Sequence, residues 1–163
     1  MIEVILDDER WAAFGLEALA EQAVAATLRG LDLDPARIEV AILGCDDAHI
    51  TILNTDFRGK PSATNVLSWP EADLSAETDG GIPHHPEPDP DGTISLGDIA
   101  IAYDTCAREA AEQGKPMRDH VTHLIVHGTL HLLGYDHIRD LDATRMETLE
   151  VKLLGIMGVP DPY

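Results

Sequence analysis

His127-Gly128-Thr129-Leu130-His131-Leu132-Leu133-Gly134-Tyr135-Asp136-His137 is the stretch that decides how this chain is read. His127 and His131 are four residues apart. On a helix that spacing stacks two side chains on one face, about 5–6 Å apart at Cβ, so two imidazole nitrogens can converge on one ion. A third ligand from the same straight helix would continue along the axis. Gly134 removes that difficulty. A Gly just past a helix end takes the left-handed conformation at little steric cost, the chain turns back, and His137 closes the site. The predicted metal ligands are therefore His127, His131 and His137.

The spacing H-x3-H-x5-H, with Gly three residues after the second His, is that of the metzincin proteases. One residue is wrong for a protease. The H-E-x-x-H motif carries its general-base Glu directly after the first His, and that place is held here by Gly128, which has no side chain to move a proton. Three neutral His ligands without a fourth protein ligand leave a coordination position for water, the pattern of a catalytic zinc. One Zn2+ per chain is expected.

Upstream, Met117, Val121, Leu124, Ile125, Gly128 and Leu132 form an apolar stripe on the same helix, with His120, His123, His127 and His131 on an adjacent one. His123 lies one turn before His127. Each i,i+4 step drifts about 40° around a helix, so three ligands on one straight helix plus His137 would strain the site. A structural or ligand-supporting role suits His123 better than ligation. Asp136 can orient an imidazole or cap a helix, and the sequence leaves both open.

The chain of 163 residues has the length of one domain, and residues 1–163 are read as one. No apolar run is long enough for a membrane span, and Met1-Ile2-Glu3-Val4 does not open a signal peptide. Cys45 and Cys106 are read as buried thiols, and cytoplasm is the default compartment. The formal net charge of −19 argues against a broad electrostatic grip on nucleic acid. Any such site must be a confined basic patch.

Alternating Ile2, Val4 and Leu6 predict a first strand, and Asp7 or Asp8 caps a helix that starts near Glu9 and runs to Gly30. Ile38, Val40 and Ile42 predict a second strand. Asp46 or Asp47 caps a helix carrying Ile50, Leu53, Asn54 and Phe57 on one stripe, ended by Gly59. Residues 64–69 read as a third strand and 95–101 as its hairpin partner. Helices follow near Asp104–Gln113 and along Ala143, Met146, Leu149, Leu153 and Leu154. Residues 71–94 are rich in Pro, Gly and Asp. They read as an exposed, mobile insertion that buries little apolar area, with a surface pair, His84-His85, assigned no function.

Several segments together resemble the YbeY family of bacterial rRNA maturation factors, which are single-domain, zinc-dependent endoribonucleases. The run His127 to His137 resembles the family signature. Leu53-Asn54-Thr55-Asp56-Phe57-Arg58-Gly59-Lys60 resembles its helix and basic loop, Thr64-Asn65-Val66-Leu67-Ser68-Trp69-Pro70 its T-D-V-L-S-F-P strand, and Leu96-Gly97-Asp98-Ile99 its L-G-D-I strand. Met146, Glu147 and Glu150 fit its C-terminal helix. The likeness covers about residues 38–158, and the first 37 match in outline only. Asn65 departs from a common Asp, and the insertion after Pro70 is longer than usual.

The resemblance implies an α+β fold: a single domain with a small mixed four-stranded sheet, about five helices, and a three-His zinc site at the end of a core helix. It implies His127, His131 and His137 as zinc ligands and Arg58 as the main non-metal catalytic residue, with Lys60 as a phosphate tether. A guanidinium offers two parallel donors to a phosphate and stays charged at any working pH. From the residues alone, Arg58 reads equally as a helix-end cation that favours the dipole. The implied activity is single-strand-specific, metal-dependent cleavage in rRNA maturation, at the 16S rRNA 3′ end. The partners would be rRNA and the ribosomal subunit, with a basic ribosomal protein suiting the acidic surface, and neither membrane nor DNA. The competing readings are a metalloprotease-like zinc hydrolase and a non-catalytic, zinc-bearing ribosome-assembly factor.

Overall fold

The computed structural model describes residues 2–163. Strand β1 (Ile2–Leu6) leads into α1 (Arg10–Phe14) and α2 (Leu16–Gly30). The apolar spacing predicts one helix here. The chain instead breaks at Gly15, whose φ of +87° ends α1, with its N–H reaching the Trp11 and Ala12 carbonyls. The cap position of α1 is Glu9, which makes no side-chain cap; the expected aspartate, Asp8, lies one residue earlier and accepts the Arg10 N–H at 2.9 Å. The break frees Trp11 to lie fully buried against the sheet, its indole N–H donating to the Cys45 carbonyl at 2.9 Å.

A single 3-10 turn (Pro35–Arg37) precedes β2 (Ile38–Cys45) and α3 (Asp47–Arg58). Asp46 is the cap of α3, accepting the His49 N–H at 2.8 Å. Asp47 is used elsewhere, taking the N–H and hydroxyl of Thr105. Strands β3 (Val66–Pro70) and β4 (Ile94–Ala102) follow, then α4 (Tyr103–Gln113), α5 (Met117–Leu132) and α6 (Asp140–Ile156). The described residues thus hold six α-helices rather than about five, around the expected four-stranded mixed sheet.

The strand order is β1-β2-β4-β3. Strands β1, β2 and β4 run parallel, and β3 lies antiparallel on β4, from Val66 opposite Ile101 to Pro70 opposite Gly97. Strand β3 ends at Pro70, which fits an edge strand where no ladder N–H is required of it. On one sheet face Ile42, Ile99 and Ile101 join Leu130, Ile125, Leu28 and Met146 in the main core. On the other, Cys45, Leu67, Ala100 and Ala102 pack with Ile50 of α3. Helix α5 runs through the middle of the main core, packed on β3 and β4 and flanked by α2, α4 and α6. Both cysteines are free and buried, as expected.

The insertion after β3 is not the free loop its composition suggests. Leu74 packs on the core and Pro86 is buried. The segment also supplies what α6 lacks. The Arg139 position gives α6 no side-chain cap, and the first N–H groups of a helix have no intrahelical partner. Asp79 Oδ1 accepts the Asp142 N–H at 2.9 Å while Asp142 Oδ1 accepts the Gly80 N–H at 2.8 Å. Arg139 and Arg145 donate to the Ala76 and Gly80 carbonyls, each at 2.9 Å. A reciprocal cap assembled from two distant segments therefore holds the insertion against the start of α6.

Candidate metal centre

The C-terminal end of α5 is built to reverse the chain. Gly134 has φ +98° and its N–H reaches the His131 carbonyl at 3.0 Å, while the Tyr135 N–H reaches Leu130 at 3.0 Å. A Cβ at Gly134 would lie 2.5 Å from the Leu74 carbonyl oxygen. Glycine is thus required twice, by the left-handed turn and by the insertion pressed against it. The reversal brings His137 back to the helix, as the sequence predicts.

One ligand nitrogen from each of His127, His131 and His137 lies within 4.8 Å of the others. The Nε2 atoms of His127 and His131 are 3.0 Å apart. The far nitrogens of these two rings are already occupied. His131 Nδ1 faces the Tyr135 carbonyl at 3.0 Å, and His127 Nδ1 faces Glu150 Oε1 at 2.6 Å. A carbonyl and a carboxylate can only accept, so each Nδ1 carries the proton and each Nε2 presents a lone pair. Burial, with His127 and His137 close by, pushes the His131 imidazole down to about 4. It stays neutral and ligand-competent at neutral pH. This donor set, three soft-to-borderline nitrogens with an open side to a cleft, fits zinc or a similar transition metal.

Glu150, which the sequence places on the C-terminal helix without a role at the site, belongs to it. It is fully buried on α6 and accepts from His123 Nε2 at 2.9 Å as well as from His127. Burial pushes its carboxyl up, but hydrogen bonds from His123, His127 and Tyr163 outweigh this and hold it at about 2. A faint signal existed: an acid four residues after Met146 and three before Leu153, on the stripe α6 buries. His123 is accordingly the partner of Glu150 and supports the site. Asp136 accepts the N–H of the adjacent His137 at 2.7 Å, fixing the ligand loop rather than capping a helix. His120 binds Glu109 Oε1 at 3.0 Å, and Asn65 Nδ2 donates to the same oxygen at 3.0 Å. The departure to Asn65 thereby gains a reason, since an aspartate there would set two carboxylates together.

A cleft of about 780 Å³ opens over the three imidazoles, between edge strand β3 and the ligand loop. Arg58, the last residue of α3, lines it. Among the described residues Arg58 is exposed and holds no ion pair or hydrogen bond, so its guanidinium is free for a ligand. Lys60 is exposed too but does not line the cleft. Gly128 lines it from α5, and a Cβ there would lie 3.2 Å from Ile99 Cδ1. A side chain at 128 would therefore press on Ile99 of β4. A second group, His123, His127 and Glu150, also brings three potential ligand atoms together, and His84 and His85, in the insertion, lie outside both groups.

The family model for endoribonuclease YbeY matches residues 3–158. The match therefore reaches β1 and the first helices, beyond the 38–158 span carried by the motifs. The endoribonuclease YbeY of Ruegeria pomeroyi is 62% identical over 162 residues, spanning 99% of this chain and 97% of its own. That of Dinoroseobacter shibae is 60% identical, spanning 99% and 90%. That of Rhodopseudomonas palustris is 44% identical, spanning 99% and 80%. The solution structure of TM1509 from Thermotoga maritima superposes with a TM-score of 0.54 over 97% of this chain and 92% of its own, at 18% identity, a likeness of fold alone.

Proposed function

This chain belongs to the YbeY family of endoribonucleases, and from that premise we propose that it is a zinc-dependent endoribonuclease that cuts single-stranded RNA in rRNA maturation, at the 16S rRNA 3′ end, on the ribosomal subunit in the cytoplasm. The observation that carries the reading is the shared cleft: three imidazoles, two of them with Nε2 lone pairs turned inward on the group, and the guanidinium of Arg58 line the same opening.

His127, His131 and His137 would hold the zinc through nitrogen. A zinc held there would supply polarisation of a phosphate oxygen, or a water with its pKa lowered towards about 7. The chain's own residues do the rest. Glu150 keeps the proton on His127 Nδ1, and the Tyr135 carbonyl keeps that on His131 Nδ1, so both rings stay oriented. Arg58 offers two parallel donors to the non-bridging phosphate oxygens, where negative charge grows during cleavage. In a chain of net charge −19, this unpaired cation sets where a phosphodiester can approach. Gly128 supplies no base, which speaks against peptide hydrolysis.

The test is cleavage of a single-stranded rRNA fragment by zinc-loaded protein, with zinc quantified in the same samples. Wild type should cut and the His131→Ala protein should neither hold zinc nor cut. Zinc retained without any cut by wild type would favour a non-catalytic assembly factor instead, and a peptide cut would restore the metalloprotease.

A further inference from the structure

Tyr163 lies beyond residue 158, where the family match ends, yet its side chain reaches the metal centre. Its hydroxyl donates to Glu150 Oε2 and lies 3.4 Å from His123 Nε2. Its ring meets His123 edge-on, with centroids 5.6 Å apart and planes at 85°. Glu150 is fully buried, and a buried carboxylate needs its lone pairs occupied. Oε1 is given to His127 Nδ1. Oε2 is shared by His123 and Tyr163. The carboxylate can only accept, so His123 Nε2 donates to Oε2 and its buried Nδ1, which has no hydrogen-bond partner, carries the lone pair. The Tyr163 hydroxyl is the second donor to that oxygen.

We propose that Tyr163 is a positioning residue for the metal centre: by donating to Glu150 Oε2 it holds the carboxylate so that Oε1 keeps the His127 Nδ1 proton and His127 Nε2 remains the ligand. The inference rests on the reading of His127 as a metal ligand. It assigns a task to a residue outside the family match.

Tyr163→Phe removes the hydroxyl and keeps the ring. Partners that orient a metal-bound imidazole typically change metal affinity by about 10–100-fold when lost, and the single hydroxyl should give the low end, about tenfold weaker zinc against a chromophoric chelator. In the metal-free protein, long-range 1H–15N NMR should show His127 as one tautomer in wild type and as a mixture in Tyr163→Phe. Tyr163→Leu should match Tyr163→Phe. Unchanged zinc affinity and an unchanged His127 tautomer in Tyr163→Phe would overturn the proposal. So would a defect seen only in Tyr163→Leu, which would show that ring packing is what matters. Wild type that binds no zinc would refute the ligand reading itself, and the metal-free tautomer would then decide the role of Tyr163 alone.

Discussion

Glu150 Oε1 accepts the proton of His127 Nδ1 across 2.6 Å, from a carboxylate that is completely buried. A helix near the end of the chain thereby fixes the tautomer of His127 on the central helix. Glu150→Gln keeps the shape but loses the charge. Zinc affinity, measured by chelator competition, should fall about 10–100-fold. Affinity equal to wild type would show that His127 orients itself without the carboxylate.

The ligand set gives a second expectation. Ala at His127, His131 or His137 should reduce zinc to near zero by elemental analysis, while His123→Ala should retain the metal at reduced affinity, because His123 Nε2 is given to Glu150. Stripping zinc from wild type should lower its melting temperature, since a ligand bound only to the native state stabilises it by mass action. Loss of zinc from His123→Ala together with retention in His137→Ala would reverse the assignment.

Arg58 is not a ligand type, and among the described residues it has no partner to lose. Arg58→Ala should keep zinc and melting temperature while single-turnover RNA cleavage falls by roughly 10²–10³-fold, the effect of removing a donor that stabilises transition-state charge. Arg58→Lys should recover part of the rate, because an ammonium keeps the charge but not the paired donors. Wild-type rates in Arg58→Ala would reduce the residue to a surface cation.

The docked insertion makes its own prediction. Composition alone suggests that removing residues 73–91 leaves the melting temperature nearly unchanged. The contacts say otherwise. Asp79→Ala should cost about 0.5–2 kcal/mol in urea unfolding, as for a lost helix cap. Gly134→Ala places a Cβ against the Leu74 carbonyl at positive φ and should cost about 1–3 kcal/mol. No loss in either variant would mean that the segment detaches freely in solution.

Arg10 bonds Asp8 and Asp104 at 2.6–2.7 Å, and it holds both carboxyls below the ordinary value of 3.8. A carboxylate depressed in the folded state contributes stability above its unfolded pKa and loses it as pH falls through the folded one. Arg10→Ala should therefore melt below wild type at pH 7. The difference should shrink as the pH drops past the ordinary aspartate range. A gap that stayed constant down to strongly acidic pH would show that packing of the Arg10 guanidinium on Tyr103 is what matters.

By itself the sequence determined which three histidines come together, the helix that carries two of them, the glycine that returns the third, a cap for α3 at Asp46 or Asp47 and the β3–β4 pairing. All are legible because their physics is local or periodic: eleven residues hold the whole histidine motif, and strand alternation is a period of two. Only the tertiary structure decided that Glu150 and Tyr163 stand behind His127, that Arg58 opens into the same cleft, and that Asp79 caps α6. These groups lie on elements far apart in sequence. Whether their atoms meet depends on how α3, α6 and the insertion pack around α5, and side-chain periodicity says which face a helix buries but not what that face will find.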